Sequence, residues 1–105
     1  MIVLKKQEEL ASYLASKERV VFLFTADWCP DCQVLYPVLP DLEAENPDFT
    51  FVQLNRDVFL DLAKAWDIFG IPSLVVREQD QEVARLVNKN RKTKAEINQF
   101  LASIR

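Results

Sequence analysis

The chain has 105 residues and a net charge of −3; half of it is hydrophobic and 28% is charged. This length suffices for one compact domain with a single core, so we expect one domain over residues 1–105. The composition excludes a disordered chain, and the negative charge argues against a nucleic-acid partner.

The sequence contains no histidine, which excludes Cys-His and Ser-His catalysis and any metal site that needs an imidazole. It also lacks a glycine-rich phosphate loop, so we expect no metal and no nucleotide cofactor. The apolar residues 2–4 are followed at once by lysines and glutamates, which leaves no stretch for a signal peptide or a membrane span. We therefore expect a cytoplasmic protein with no membrane partner. We also expect a monomer.

Near the amino terminus, the pattern predicts a helix and then a buried strand. Leu10, Tyr13 and Leu14 recur at helical spacing, which predicts a first helix over 9–16. The apolar run 20–24 (VVFLF) is short and rich in β-branched and aromatic residues. Such a run is typical of a central strand that is buried on both faces.

The next apolar residues, over 35–42, again follow helical periods. Pro37 and Pro40 lie inside this stretch. Because a proline removes an amide donor and clashes with the preceding turn, we expect the helix to kink or to end early.

The second half of the chain predicts a strand, a helix, a hairpin and a last helix. Thr93 and Glu96 form a capping box that opens the last helix. The polar residues 77–82 are interpreted as the hairpin connection. The predicted elements are a strand over 49–54, a helix over 59–66, hairpin strands around 74–76 and 83–87, and a helix over 93–104.

After the first helix, the predicted order is therefore βαβαββα. Helices are available to cover both faces of a mixed sheet. The sequence thus predicts an α/β single domain.

Two cysteines three residues apart, in Cys29-Pro30-Asp31-Cys32, lie between the buried strand and a helix. This spacing puts both side chains on one helical face, close enough for a disulfide. Pro30 suits the first helical position and pushes Cys29 into the N-cap position. The free amides of the first turn and the helix dipole then stabilise the Cys29 thiolate. Cys29 is predicted to be the nucleophile and Cys32 the more buried resolving thiol.

Asp31 opposes this effect. Its carboxylate favours the helix start, but it is a like charge beside a thiolate. The sequence leaves the balance between the two effects open.

The two cysteines allow two other interpretations. Half of a structural zinc site would need two further ligands, which this chain can supply only as a symmetric dimer. Inert buried thiols are also common. The position at a strand-to-helix junction between Trp28 and the helix favours redox use.

Several segments of the chain resemble the thioredoxin family. They are residues 24–32 (FTADWCPDC), 54–57 (LNRD) and 70–74 (GIPSL), together with Pro37. The resemblance covers the chain from about Leu10 onward. It implies a thioredoxin fold, a three-layer α/β/α sandwich around a central mixed sheet. It also implies reduction of disulfide-containing proteins or small disulfides. A reductase or a low-molecular-weight thiol would then return the two cysteines to the dithiol form.

The resemblance further implies that the peptide bond between Ile71 and Pro72 is cis and faces the cysteines. A cis bond at a tight turn exposes the Ile71 backbone to an extended substrate. The alternative is a trans proline that begins an edge strand. The resemblance assigns substrate contacts to Trp28, Pro30, Asp31, Ile71 and Pro72.

The chain departs from the family pattern in three respects. The dipeptide between the cysteines is Pro30-Asp31, where the family usually has Gly-Pro. The family carries a buried proton-relay Asp where this chain has Leu23, and its lysine partner is replaced by Gln53. Without this pair, deprotonation of Cys32 should be harder. The family's glycine after the last strand is replaced by Asn88, whose side chain we expect to add bulk beside the substrate groove.

Four basic residues follow the last strand: Lys89, Arg91, Lys92 and Lys94. A solvated loop is the default interpretation. The alternative is that the cluster borders the active site, where it would help Cys29 to ionise and attract acidic partners.

The sequence therefore predicts a dithiol reductase. Two alternatives stay open: an oxidase or isomerase that uses the same cysteines, and a thioredoxin-fold binding module with slow redox activity.

Overall fold

Five strands form one mixed sheet in the computed structural model, which describes all 105 residues. In chain order they are β1 (Ile2–Leu4), β2 (Val20–Thr25), β3 (Thr50–Asn55), β4 (Ser73–Glu78) and β5 (Gln81–Leu86). Across the sheet the order is β1-β3-β2-β4-β5. β3 is parallel to both β1 and β2, whereas β4 is antiparallel to β2 and β5.

Four short helices connect the strands, and a fifth follows β5. They are α1 (Leu10–Leu14), α2 (Pro30–Leu35), α3 (Leu39–Glu45), α4 (Leu60–Ala65) and α5 (Lys94–Ala102), with 3₁₀ turns at Gln7–Glu9 and Tyr36–Val38. No helix in the structure has the length and apolar character that a membrane crossing requires.

The central strand β2 has all six residues buried, because both of its faces carry apolar side chains. Phe22 and Phe24 belong to one core cluster, which includes residues of α1 and α4. Val21 and Leu23 belong to a second cluster, which includes residues of α3 and α5. Helices therefore cover both faces of the sheet, which confirms the predicted three-layer α/β/α sandwich.

The predicted break in the long helix is confirmed. Pro37 lies in the 3₁₀ turn Tyr36–Val38, and Pro40 lies in the first turn of α3. The α2 segment is consequently only six residues long, and it presents its amino-terminal turn to the end of β2.

Strand β1 is absent from the sequence prediction. Its residues pair in parallel with Val52, Gln53 and Leu54 of β3, but only Leu4 is buried. Three residues with one buried side chain are too few to show a period, so only the pairing partner identifies this strand.

The prediction of the hairpin was too short at both strands. β4 and β5 continue through the polar residues 77–82, leaving Gln79 and Asp80 as a two-residue turn with φ of 50° and 66°. Positive φ at both central residues is the turn geometry that matches strand twist. β5 is an exposed edge strand, so its polar side chains do not prevent pairing.

Gly70 packs against the backbone that follows β5. A Cβ atom placed on Gly70 would lie 2.7 Å from the Lys89 amide nitrogen and closer still to the Asn88 carbonyl group. Since both neighbours are backbone, only glycine permits this approach of the two segments.

We expect Gly70→Ala to lower the free energy of unfolding by about 1 to 3 kcal/mol, because one segment must move away from the other. Denaturant unfolding measures the change. Ala95→Ser, at an exposed position of α5, is the control and should change stability by less than about 0.5 kcal/mol. Equal stabilities of Gly70→Ala and the unsubstituted chain would contradict this packing argument.

Candidate active site

Cys29 is the N-cap of α2, directly after the loop that leaves β2. Its backbone is extended (φ −91°, ψ 108°), and Pro30 occupies the first helical position as predicted. The Cys32 amide donates a hydrogen bond to Cys29 Sγ at 3.1 Å. The two cysteines form a disulfide with their Cα atoms 5.2 Å apart. The structure therefore brings the pair together at an amide-bearing helix start.

The turn before β4 lies against this pair. The peptide bond between Ile71 and Pro72 is cis, as the resemblance implied. Cys29 Sγ lies 3.9 Å from the Ile71 carbonyl oxygen. Ser73 Oγ donates to the Gly70 carbonyl, which ties the start of β4 to this turn.

A shallow groove passes over Cys29. Of the residues assigned to substrate contact, Trp28, Pro30, Asp31 and Ile71 line it, whereas Pro72 is buried and does not. Four further residues line the groove: Arg56, Phe69, Gly70 and Lys89. Of these four, the sequence suggested only Lys89 for a position at the active site.

Trp28 forms one side of the groove and is 59% exposed, so it is not a core residue. Its indole Nε1 donates to Asp57 Oδ2 at 2.8 Å, and the Arg56 guanidinium lies 5.3 Å from the ring centroid. These two contacts hold an exposed indole in place beside the cysteine. Arg56 and Asp57 directly follow β3, and the parallel pairing of β3 with β2 brings them beside Trp28.

Trp66, by contrast, is a packing residue, as its apolar helical face predicts. Its ring makes edge-to-face contacts with Phe22 and Phe24, with ring centroids 5.4 and 5.9 Å apart.

The basic cluster borders the active site, as the alternative interpretation placed it, although Lys89 and Arg91 are also exposed to solvent. Arg91 Nε donates to Asp31 Oδ1 at 3.0 Å, and Lys89 lines the groove. Lys92 is buried, and this burial lowers the pKa of its amine. Only Lys94 pairs elsewhere, with Glu45 on α3.

The predicted effect of Asn88 was wrong. Its side-chain oxygen accepts hydrogen bonds from the Asn90 amide and from Lys92 Nζ. The side chain is therefore turned into its own loop, and it is not among the residues that line the groove.

Leu23 and Gln53 are partners across β2 and β3. Leu23 is 1% exposed, and Gln53 Nε2 donates to Thr25 Oγ1 at 3.1 Å. The two departures from the family pattern thus lie side by side, and neither side chain can carry a proton away from a thiol at neutral pH.

Chemically, the site holds two cysteines that can interconvert between dithiol and disulfide. One of them, Cys29, has a sulfur that accepts a hydrogen bond from a backbone amide. The groove exposes backbone and aromatic surface to a bound chain. These features suit thiol–disulfide exchange.

Solved structures share the fold. A thioredoxin from Nicotiana alata superposes with a TM-score of 0.85 over 99% of this chain and 91% of its own, at 23% identity.

Curated relatives share the sequence. Thioredoxin-2 of Saccharomyces cerevisiae is 32% identical over 95% of this chain and 94% of its own length. The mitochondrial thioredoxin-2 of Schizosaccharomyces pombe is 36% identical over 67% of this chain, and the match spans 53% of that protein. The thioredoxin family model matches residues 1–103. With this match over nearly its whole length, the chain belongs to the thioredoxin family.

Proposed function

We propose that this chain reduces disulfides in other proteins, with Cys29 as the attacking thiolate and Cys32 as the resolving thiol. Family membership and the paired cysteines make it a thiol–disulfide oxidoreductase of the disulfide-reductase type. The observation that carries the assignment of roles is the hydrogen bond from the Cys32 amide to Cys29 Sγ. Only the sulfur at the N-cap receives this stabilisation of its charged form.

The reaction moves two electrons in two exchanges. The Cys29 thiolate attacks one sulfur of the substrate disulfide, and the other substrate sulfur leaves as a thiolate that takes up a proton. Cys32 then loses its proton and attacks Cys29 Sγ, which releases the second substrate sulfur. The product is the Cys29–Cys32 disulfide present in this structure.

The groove supports a protein substrate. Trp28 and Phe69 are large aromatic residues that are 59% and 62% exposed on the groove walls. The Ile71 backbone lies beside Cys29 Sγ, where an extended segment can bind to it. A small disulfide would reach the cysteine but would leave most of this surface uncovered.

The direction of exchange depends on the compartment. We propose a reducing, cytoplasm-like compartment in which a reductase or a low-molecular-weight thiol restores the dithiol. An oxidase or isomerase would use the same residues, and a measured reduction potential separates these activities.

A second candidate function is a binding module with slow redox turnover. It is supported by Leu23 and Gln53, which stand where the family has its proton relay. If reduction is undetectable in the unsubstituted chain and in Cys29→Ser alike, the binding module is the better description.

For the reductase, we expect Cys29→Ser to lower insulin reduction to the rate of dithiothreitol alone, because no nucleophile remains at the N-cap. Turbidity of the reduced insulin chains measures the rate.

We expect Cys32→Ser to retain Cys29 and to accumulate a mixed disulfide with insulin, detected by mass spectrometry. The double variant is the control and should capture nothing. Reduction by Cys29→Ser at the unsubstituted rate would refute the assignment of the nucleophile.

We expect Leu23→Asp to raise the turnover number at pH 7 by roughly threefold to tenfold, because a carboxylate restores a proton acceptor to the relay position. Leu23→Asn, which has the same shape and no charge, is the matched control and should give no increase. Unfolding measurements must accompany the rates, since a buried polar group at Leu23 costs stability. A folded Leu23→Asp variant that is no faster than Leu23→Asn would count against the relay argument.

A further inference from the structure

The segment 88–93, here called the 88–93 loop, joins β5 to α5 and packs against the active site. The peptide group between Asn88 and Lys89 packs against Gly70, the residue before the cis turn. Ser73 Oγ lies 3.5 Å from the Asn88 carbonyl oxygen as a second contact. The loop is therefore placed by the same turn that faces Cys29.

A buried amine fixes the shape of the loop. Lys92 is 2% exposed, and its Nζ donates to the Asn88 carbonyl, to Asn88 Oδ1 at 2.9 Å and to the Asn90 carbonyl at 2.8 Å. Burial lowers the pKa of Lys92, while the facing carboxylates of Asp31 and Glu96 act in the opposite direction. Because Lys92 Nζ bonds to both Asn88 and Asn90, it fixes the backbone of the loop from which Arg91 extends.

Arg91 reaches from this loop to the active-site helix. Its Nε donates to Asp31 Oδ1 at 3.0 Å. Arg91 is 60% exposed and Asp31 33% exposed, so the pair lies at the rim of the groove, where salt screens it.

Asp31 is the only carboxylate that lines the groove around Cys29. Two cations, Arg56 and Lys89, line it as well. Asp57 is already bonded to the Trp28 indole and to Arg56.

The carboxylate of Asp27, in the loop before Cys29, accepts a hydrogen bond from Asn55 Nδ2 at 3.5 Å. The charged groups around Cys29 are thus the carboxylates of Asp27, Asp31 and Asp57 and four basic residues: Arg56, Lys89, Arg91 and Lys92.

We propose that Arg91 is a positioning residue for the reaction at Cys29: by pairing with Asp31 it offsets the one carboxylate that stands beside the attacking sulfur. Asp31 then contributes to the start of α2 without opposing the thiolate at full strength. This inference rests on the proposed function, since it concerns the same nucleophile.

The test measures how fast iodoacetamide alkylates reduced Cys29 as a function of pH, and compares this profile between Arg91 variants and their parent. All proteins carry Cys32→Ser, so that only one thiol titrates. We expect Arg91→Gln to raise the midpoint of the profile by about 0.3 to 0.6 pH unit, the effect of one charge in a water-exposed site. Below the midpoint, alkylation should slow by about two- to fourfold. Added salt should reduce the difference.

A double-substitution cycle isolates the contact. In an Asp31→Asn background, Arg91→Gln should raise the midpoint by less than half as much, since no carboxylate remains to be released. Arg91→Lys, which keeps the charge but loses the Nε contact, should give an intermediate midpoint. Lys94→Gln removes the same charge from the pair with Glu45 and should leave the profile unchanged.

Each outcome decides a separate point. An unchanged midpoint in Arg91→Gln, or an equal rise in both Asp31 backgrounds, overturns the inference while leaving the reductase assignment intact. If Cys29 in the parent protein alkylates no faster than free cysteine near neutral pH, the activation required by the proposed function is itself absent.

Discussion

One hydrogen bond, from the Cys32 amide to Cys29 Sγ, makes the two cysteines chemically different. It exists because Pro30 starts a helix immediately after Cys29 and leaves the first-turn amides without backbone acceptors. The fully buried strand β2 holds that helix start at its own carboxyl end, in the middle of the sheet. The cis turn and the Trp28 contacts then surround a sulfur whose position is already set. The chemistry of the site therefore depends on where one short helix begins.

The sequence predicted the parts of the fold whose pattern is local. The six-residue β2 shows an unbroken apolar run, and Pro37 marks the break between α2 and α3. The three-layer arrangement follows from helices available on both sides. Strand β1 was missed because its identity depends on pairing with β3, half the chain away. The hairpin strands were drawn too short because an exposed edge strand tolerates the polar residues of a loop.

The same division applies to the site. The roles of Cys29, Pro30 and Cys32 follow from four consecutive residues and helix-start physics, whereas the cis turn required a resemblance to a known family. Trp28 and Asp57 are separated by 29 positions in the sequence, and Asp31 and Arg91 by 60 positions. Each side chain alone fits a solvated surface equally well. Only the folded sheet, which brings the end of β3 and the loop after β5 to the end of β2, makes these pairs visible.

The arrangement of charge around the groove differs from that of the chain as a whole. The whole protein carries a net charge of −3, which disfavours a further anion at any surface. Near the groove, however, two carboxylates each pair with a cation: Asp31 with Arg91 of the 88–93 loop, and Asp57 with its sequence neighbour Arg56. Lys89 makes no ion pair and adds a positive charge. Among the residues that line the groove, the two cations Arg56 and Lys89 outnumber the one carboxylate, Asp31, so the charge there is opposite in sign to that of the chain. In the proposed mechanism, these cations and the helix amides both favour the charged form of Cys29.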